Sequence, residues 1–254
     1  MSTIAIIAAL ERELLPLVRG WKQSAFTFGG KSFRVYQDDH SREKLVAVAG
    51  GIGCCAAELA ARAVVAEYRP QALISAGLAG AIIRSLKVGC VITPNVIIDG
   101  RSGTEYRCSL GEGVVGGGVL VSAGEIAGAG SKPALMEAFH ALAVDMEAAG
   151  VAEVATEAQI GFCCVKAISD EADFPMPALN RFVGPEGNFQ TGKFVAWAAF
   201  RPWVWPRVIA LGRNGNRATR ALCDWLKSHV TSNLQPGRVV RLERAEFSGE
   251  SAGL

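Results

Sequence analysis

The feature that most constrains this chain is a recurrence of short apolar runs, each stopped by glycine, serine or aspartate and most followed by a segment with helical spacing. Residues 3–9 (TIAIIAA) lead into residues 10–18, where apolar side chains recur at helical intervals until Pro16 interrupts them. Residues 44–49 (KLVAVA) end in Gly50, Gly51 and Gly53 before an alanine-rich helix over 54–68. Residues 71–75 (QALIS) run into a glycine-rich turn made of Ala76, Gly77, Leu78, Ala79 and Gly80, and residues 161–168 (GFCCVKAI) read as a fully apolar strand. Residues 88–98 and 118–122 supply further strands, and 111–118 (GEGVVGGG) a loop. Strands alternating with helices predict an α/β fold: a single domain with a central twisted, mixed and largely parallel sheet, flanked by helices in three layers. Such sheets place ligands beyond the carboxyl ends of their strands, where these glycines, serines and acids fall.

A chain of 254 residues suits one large α/β domain, expected over 1–232, followed by a polar, flexible tail over 233–254. Half of the residues are apolar and the mean hydropathy is +0.25, yet a charged fraction of 20% excludes a chain made mostly of membrane spans. Residues 194–211 (FVAWAAFRPWVWPRVIAL) gather Trp197, Trp203 and Trp205 into one apolar insertion. Arg201, Arg207, Pro202 and Pro206 argue against a bilayer span and for an interfacial or lid-like segment, or an oligomer interface. A net charge of +2 without a basic block gives no footprint for nucleic acid. The cysteine pairs Cys54, Cys55 and Cys163, Cys164 lack zinc-ligand spacing; they read as reduced core residues, and no metal site is expected. The opening residues carry no export pattern, so a cytoplasmic location is expected, with peripheral contact at the inner membrane face as an option.

Three acids stand at strand ends or in buried helix patterns: Glu13 after the first strand, Glu147 within VDMEAAG (144–150), and Asp170 after the apolar strand. Each has a plain structural alternative. Glu13 in a first helical turn gains from the helix dipole, Asp170 suits a cap, and Met146 fits a core. Glu147, placed on the buried side of an alanine-rich helix, needs a partner. Gly50, Gly51 and Gly53 serve either an anion cradle or close packing.

In order along the chain, TIAIIAALERELLPL, VAGGIGCCAAELAA with LISAGLAGAI, AVDMEAAGVAEVA and KAISDEAD resemble segments of methylthioadenosine/S-adenosylhomocysteine nucleosidases, in the nucleoside phosphorylase and nucleosidase superfamily. RNGNRATRALCDWL resembles the hopanoid-associated branch, whose implied substrate is adenosylhopane. The resemblance implies cleavage of the bond between adenine and ribose in a 5'-substituted adenosine, lipid-linked in the hopanoid case. It implies that Glu13 activates water, that Met146 and Glu147 hold the ribose, and that Asp170, oriented by Ser169, gives a proton to purine N7. Leu78, Ala79 and Gly80 fall on its substrate loop. A homodimer is implied too, with no cofactor beyond water or inorganic phosphate as co-substrate.

Two positions depart from the pattern. Leu78 stands where the nucleosidases carry a serine, and Ser75 stands where the phosphorylases carry a phosphate-gripping arginine. No replacement arginine is evident near residues 8–10, although Arg84 and Arg101 are free to return to the site on folding. The balance favours hydrolysis. An ordinary methylthioadenosine/S-adenosylhomocysteine nucleosidase and a non-catalytic nucleoside-binding or membrane-scaffold protein are the competing readings; an apolar trough lined by 194–211 would mark the lipid substrate.

Overall fold

The computed structural model describes residues 2–39, 43–109, 117–176, 179–184, 187 and 189–230. The loop expected over 111–118 falls largely, and the tail over 233–254 wholly, outside the described residues. Along the chain run β1 (Thr3–Ala8), α1 (Glu11–Leu14), β2 (Lys22–Phe28), β3 (Lys31–Asp38), β4 (Lys44–Ala49), α2 (Cys54–Tyr68) and β5 (Ala72–Ala81). There follow β6 (Val91–Ile92), β7 (Val96–Asp99), β8 (Glu105–Arg107), β9 (Val119–Ser122), α3 (Lys132–Phe139) and β10 (Ala141–Asp145). The chain continues through α4 (Ala148–Glu157), β11 (Gly161–Asp170), α5 (Thr191–Ala199) and α6 (Trp205–Val230).

The strands form one α/β sheet in the order β2-β3-β4-β1-β5-β10-β9-β7-β8, with β11 paired to β5 and β6. Its centre is parallel: β4, β1, β5 and β11 run one way, and β7, β9 and β10 pair in parallel beside them. Antiparallel pairs lie at the edges and where β5 meets β10. Side chains alternate across this sheet as strand geometry requires. Ala5, Ile7, Val46, Val48 and Leu73 face a core shared with α2 and α4, while Ile4, Ile6, Leu45, Ala47 and Ile74 face Ala218, Leu222, Cys223 and Leu226 of α6. Both faces are covered, so these strands are apolar throughout rather than on alternate residues.

β5 positions the site. Its first half, Ala72 to Ser75, pairs with β1, whereas Gly80 and Ala81 pair with Val144 and Ala143 of β10. Between those stretches β1 has ended and β10 has not begun, and β11 alone, among the described residues, continues beside β5. The sheet is split there, leaving a gap at the carboxyl ends of β1 and β11.

Several expectations change. The glycine-rich residues 76–80 are strand, because β11 pairs with them residue by residue; the glycines gave no sign of that partner. β11 is not fully apolar, since Lys166 sits in it, 1% exposed. Glu147 is the N-cap of α4 rather than a residue on its face, because residues 141–145 form β10. Cys55 is exposed, unlike its neighbour Cys54. The 194–211 stretch is broken into the end of α5, a 3₁₀ turn at Pro202–Val204 and the start of α6, with proline at the first position of the turn.

Candidate active site

The gap beside β5 is a cavity of about 210 Å³. Glu13, Leu78, Ala79, Gly80, Met146, Glu147, Ser169 and Asp170 all line it, so the sequence-predicted residues come together at one place. Arg12, Leu211 and Gly215 join them.

Glu13 reaches the cavity from α1, the short helix that follows β1, and is 4% exposed. Its Oε2 accepts the Leu10 N–H at 3.4 Å, and the Cys223 thiol of α6 donates to its carbonyl at 3.3 Å. Burial pushes its carboxyl above the usual range, opposed by the charge of Lys166. Gly77 leaves the room this requires: a side chain there would touch both Glu13 Oε2 and Lys166 Nζ at 3.4 Å.

Glu147 is held across the sheet. Its Oε1 accepts the Gly53 N–H at 2.9 Å and its Oε2 the Met146 N–H at 3.3 Å. Gly53 thus presents its backbone N–H to a carboxylate at a φ of +97°, a conformation that favours glycine. Burial, then the charge of Asp145, pushes Glu147 up to about 7. Asp145 also lines the cavity: Oδ1 accepts Ser122 Oγ at 2.6 Å, and Oδ2 accepts Lys166 Nζ at 2.8 Å and the Ala148 N–H at 2.9 Å. Burial opposes the charge of Lys166 most strongly, but the charge and hydrogen bond of Asp145, with Cys164 and Glu147, together raise its pKa.

Asp170 ends β11 opposite Gly80. The Ser169 hydroxyl donates to Oδ1 at 2.9 Å. On the other side of this carboxyl the Lys132 ammonium lies 2.6 Å from Oδ2. Neither Lys132 nor Lys166 was read from the sequence. Lys166 had a signal, a lone charge in an apolar strand; Lys132, beside Pro133 in a mixed segment, had none.

Arginine needs a correction. Arg12, two residues beyond Leu10, lines the cavity. Arg84 and Arg101 do not; Arg101 forks onto Asp99 with two contacts of 3.1 Å and donates to Cys54 Sγ at 3.1 Å.

A second, wider cavity of about 430 Å³ adjoins the first, sharing Ala9, Leu10 and Arg12. Gly50, Gly51, Lys31, Phe189 and Thr191 complete much of its wall. It therefore lies toward the β4–α2 loop, the Glu147 end of the site, away from Asp170. No trough is built from 194–211: among the described residues of that stretch only Leu211 lines either cavity. Phe194 and Trp197 instead pack against Phe182, edge-on and tilted, at 5.3 and 5.5 Å between ring centroids, whereas Phe200, Trp203, Trp205 and Ile209 face solvent.

A family model described as the phosphorylase superfamily matches residues 3–127 and 111–184, most of the elements that build this site. The chain belongs to that superfamily. Within it, the chain is 24% identical over 210 residues to an aminodeoxyfutalosine nucleosidase of Helicobacter pylori, covering 68% of this chain and 87% of that one. Its fold is similar to a 5'-methylthioadenosine/S-adenosylhomocysteine nucleosidase of Neisseria meningitidis in complex with methylthio-immucillin-A, with TM-score 0.70, 19% identity, and 92% and 100% of the two chains covered. A futalosine hydrolase of Helicobacter pylori gives TM-score 0.67 at 18% identity, covering 89% and 96%. In this phosphorylase-superfamily chain the acids cluster at the split in the sheet, where β5 changes partners.

Proposed function

We propose that this protein hydrolyses the N-ribosidic bond of a 5'-substituted adenosine. The observation that carries the reading is the convergence of Glu13, Glu147 and Asp170, from three distant parts of the sequence, on one cavity. Cleavage needs a proton for the leaving purine, acceptors that hold the ribose hydroxyls as positive charge develops, and an activated nucleophile. Asp170 serves the first need at N7, and Glu147 with Met146 the second. Glu13 serves the third: a carboxyl raised by burial is a stronger base toward water than an exposed one. Leu78, Ala79 and Gly80 form the floor under the nucleoside. The names of the relatives, nucleosidases and a futalosine hydrolase, support water as the nucleophile. Arg12 beside Glu13 is the group through which phosphate would compete.

The 5' substituent leaves toward the second cavity, on the Glu147 side. That space exceeds what a methylthio group needs, and it supports a large substituent, with adenosylhopane as the substrate that the resemblance implies. The exposed Phe200, Trp203, Trp205 and Ile209, next to Arg201 and Arg207, support contact with a membrane surface from which a lipid-linked substrate is drawn. Among the described residues no helix is long and apolar enough to cross a membrane. The assembly carried over with this reading is a homodimer. One observation favours a second reading, an ordinary methylthioadenosine/S-adenosylhomocysteine nucleosidase: the aromatic stretch 194–211 lends only Leu211 to the cavities.

Free adenine released from adenosylhopane and from methylthioadenosine, each with and without phosphate in detergent, tests both. Release from the lipid without phosphate is expected. Release from methylthioadenosine alone establishes the second reading, and release only with phosphate makes the enzyme a phosphorylase.

A further inference from the structure

We propose that Lys132 is a positioning residue for the cleavage step, acting on the leaving adenine through Asp170; the inference rests on the reading of Asp170 as the proton donor. Lys132 Nζ lies 2.6 Å from Asp170 Oδ2 and 3.0 Å from the Glu171 carbonyl oxygen. Both side chains are buried, 2% and 5% exposed. Lys132 is absent from the cavity wall, so it stands behind Asp170 rather than against substrate.

Helix propensity does not put it there. Lys132 is the first residue of α3, where the positive end of the helix dipole disfavours a cation. Burying an ammonium is costly, and a partner offsets that only in good geometry. The neighbouring strand also yields space. A Cβ at Gly80 would stand 2.8 Å from Asp170 Oδ2 and 3.2 Å from Lys132 Nζ, so β5 keeps the one residue that admits the pair. Position 80 lines the cavity, which ties the pair to the site rather than to the core.

With Ser169 Oγ on Oδ1 and Lys132 on Oδ2, the Asp170 carboxyl is fixed from both sides. When the C1'–N9 bond breaks, its electron pair goes to adenine and the Asp170 proton goes to N7. The negative charge left on Asp170 then forms beside the Lys132 ammonium. Lys132 therefore acts on leaving-group departure and not on ribose binding or water attack.

The test uses one 5-methylthioribosyl group carrying two leaving groups, adenine in methylthioadenosine and 4-nitrophenolate in the 4-nitrophenyl riboside, in single turnovers with enzyme in excess. The phenolate departs without a proton. For Lys132→Met the adenine rate should fall about 10²- to 10³-fold, with the 4-nitrophenyl rate within about threefold of wild type. Equal losses on both substrates overturn the inference and leave a structural ion pair. If Lys132→Met does not fold, Asp170→Asn and Lys132→Met/Asp170→Asn decide, because the double variant leaves no unpaired charge. Equal adenine rates for those two support action through Asp170, and a further tenfold loss in the double variant overturns it. A wild-type protein that releases adenine from neither methylthioadenosine nor adenosylhopane removes the nucleosidase reading and this inference with it, whereas equal losses remove this inference alone.

Discussion

Glu147 gives the sharpest residue-scale expectation, because burial and Asp145 hold its carboxyl at about 7. If Glu147 holds the ribose hydroxyls as proposed, its protonated form donates where an acceptor is needed, so kcat/KM should rise as pH increases through about 7 and level off above it. Glu147→Gln should lose that limb and lower kcat/KM at least tenfold; a profile unchanged in the variant would remove Glu147 from ribose contact. The same raised value has a stability counterpart. The contribution is fully present below 4.5 and is lost as pH rises through about 7, so Tm of wild type should fall over that window relative to Glu147→Gln. Asp170→Asn should reduce adenine release by about 10²- to 10⁴-fold while leaving the circular dichroism spectrum intact, since the amide has no acidic proton to give. These acids were legible in the sequence because each sits where a strand or an apolar pattern ends. Their lysine partners were not, since a lysine is ordinarily solvated and nothing in SKPALMEAF distinguishes Lys132 from an exposed one. Arg12 was hidden for a similar reason: an arginine among Glu11 and Glu13 reads as one charge on a solvated helical turn.

Among the elements, β5 and α4 carry the geometry. α4 crosses α2 at Gly150, where a Cβ would stand 2.3 Å from the Cys54 carbonyl oxygen. Gly150→Ala should push the two helices apart, costing about 1–3 kcal/mol in urea unfolding and loosening the Glu147 to Gly53 contact that joins their N-termini. A variant with wild-type stability and wild-type KM would show that the approach of the helices does not set the ribose end. The parallel centre of the sheet was readable, because KLVAVA and GFCCVKAI are too apolar for a half-solvated strand and too short for helices. The β2–β3 hairpin was not, because its exposed strand alternates polar and apolar residues without a run to mark it. β10 was absorbed into the following helix for want of a turn residue: Asp145 closes the strand and, by accepting the Ala148 N–H, starts the helix as well. The break in β5's partners, the feature that opens the cavity, depends on the lengths of β1 and β10 in three dimensions and leaves no local trace.

At the scale of the whole molecule, one wall of the site is sequence-distant helix. Leu211 and Gly215 of α6 close the cavity that β5 and β11 open, and α6 continues from the exposed Trp203 and Trp205. The cavity wall and the exposed tryptophans are therefore joined along one stretch of chain. Trp203→Ser/Trp205→Ser should slow turnover of adenosylhopane presented in vesicles by tenfold or more and change methylthioadenosine turnover little; equal losses on both would assign the tryptophans to folding or assembly. The central claim, hydrolysis by the three acids around β5, is tested most directly by cleaving a 5'-substituted adenosine in phosphate-free ¹⁸O-labelled water and weighing the sugar product by mass spectrometry. One ¹⁸O atom on the anomeric carbon, with release suppressed in Glu13→Gln, is the predicted result. Adenine release only when phosphate is added, or undiminished labelling in Glu13→Gln, would contradict it.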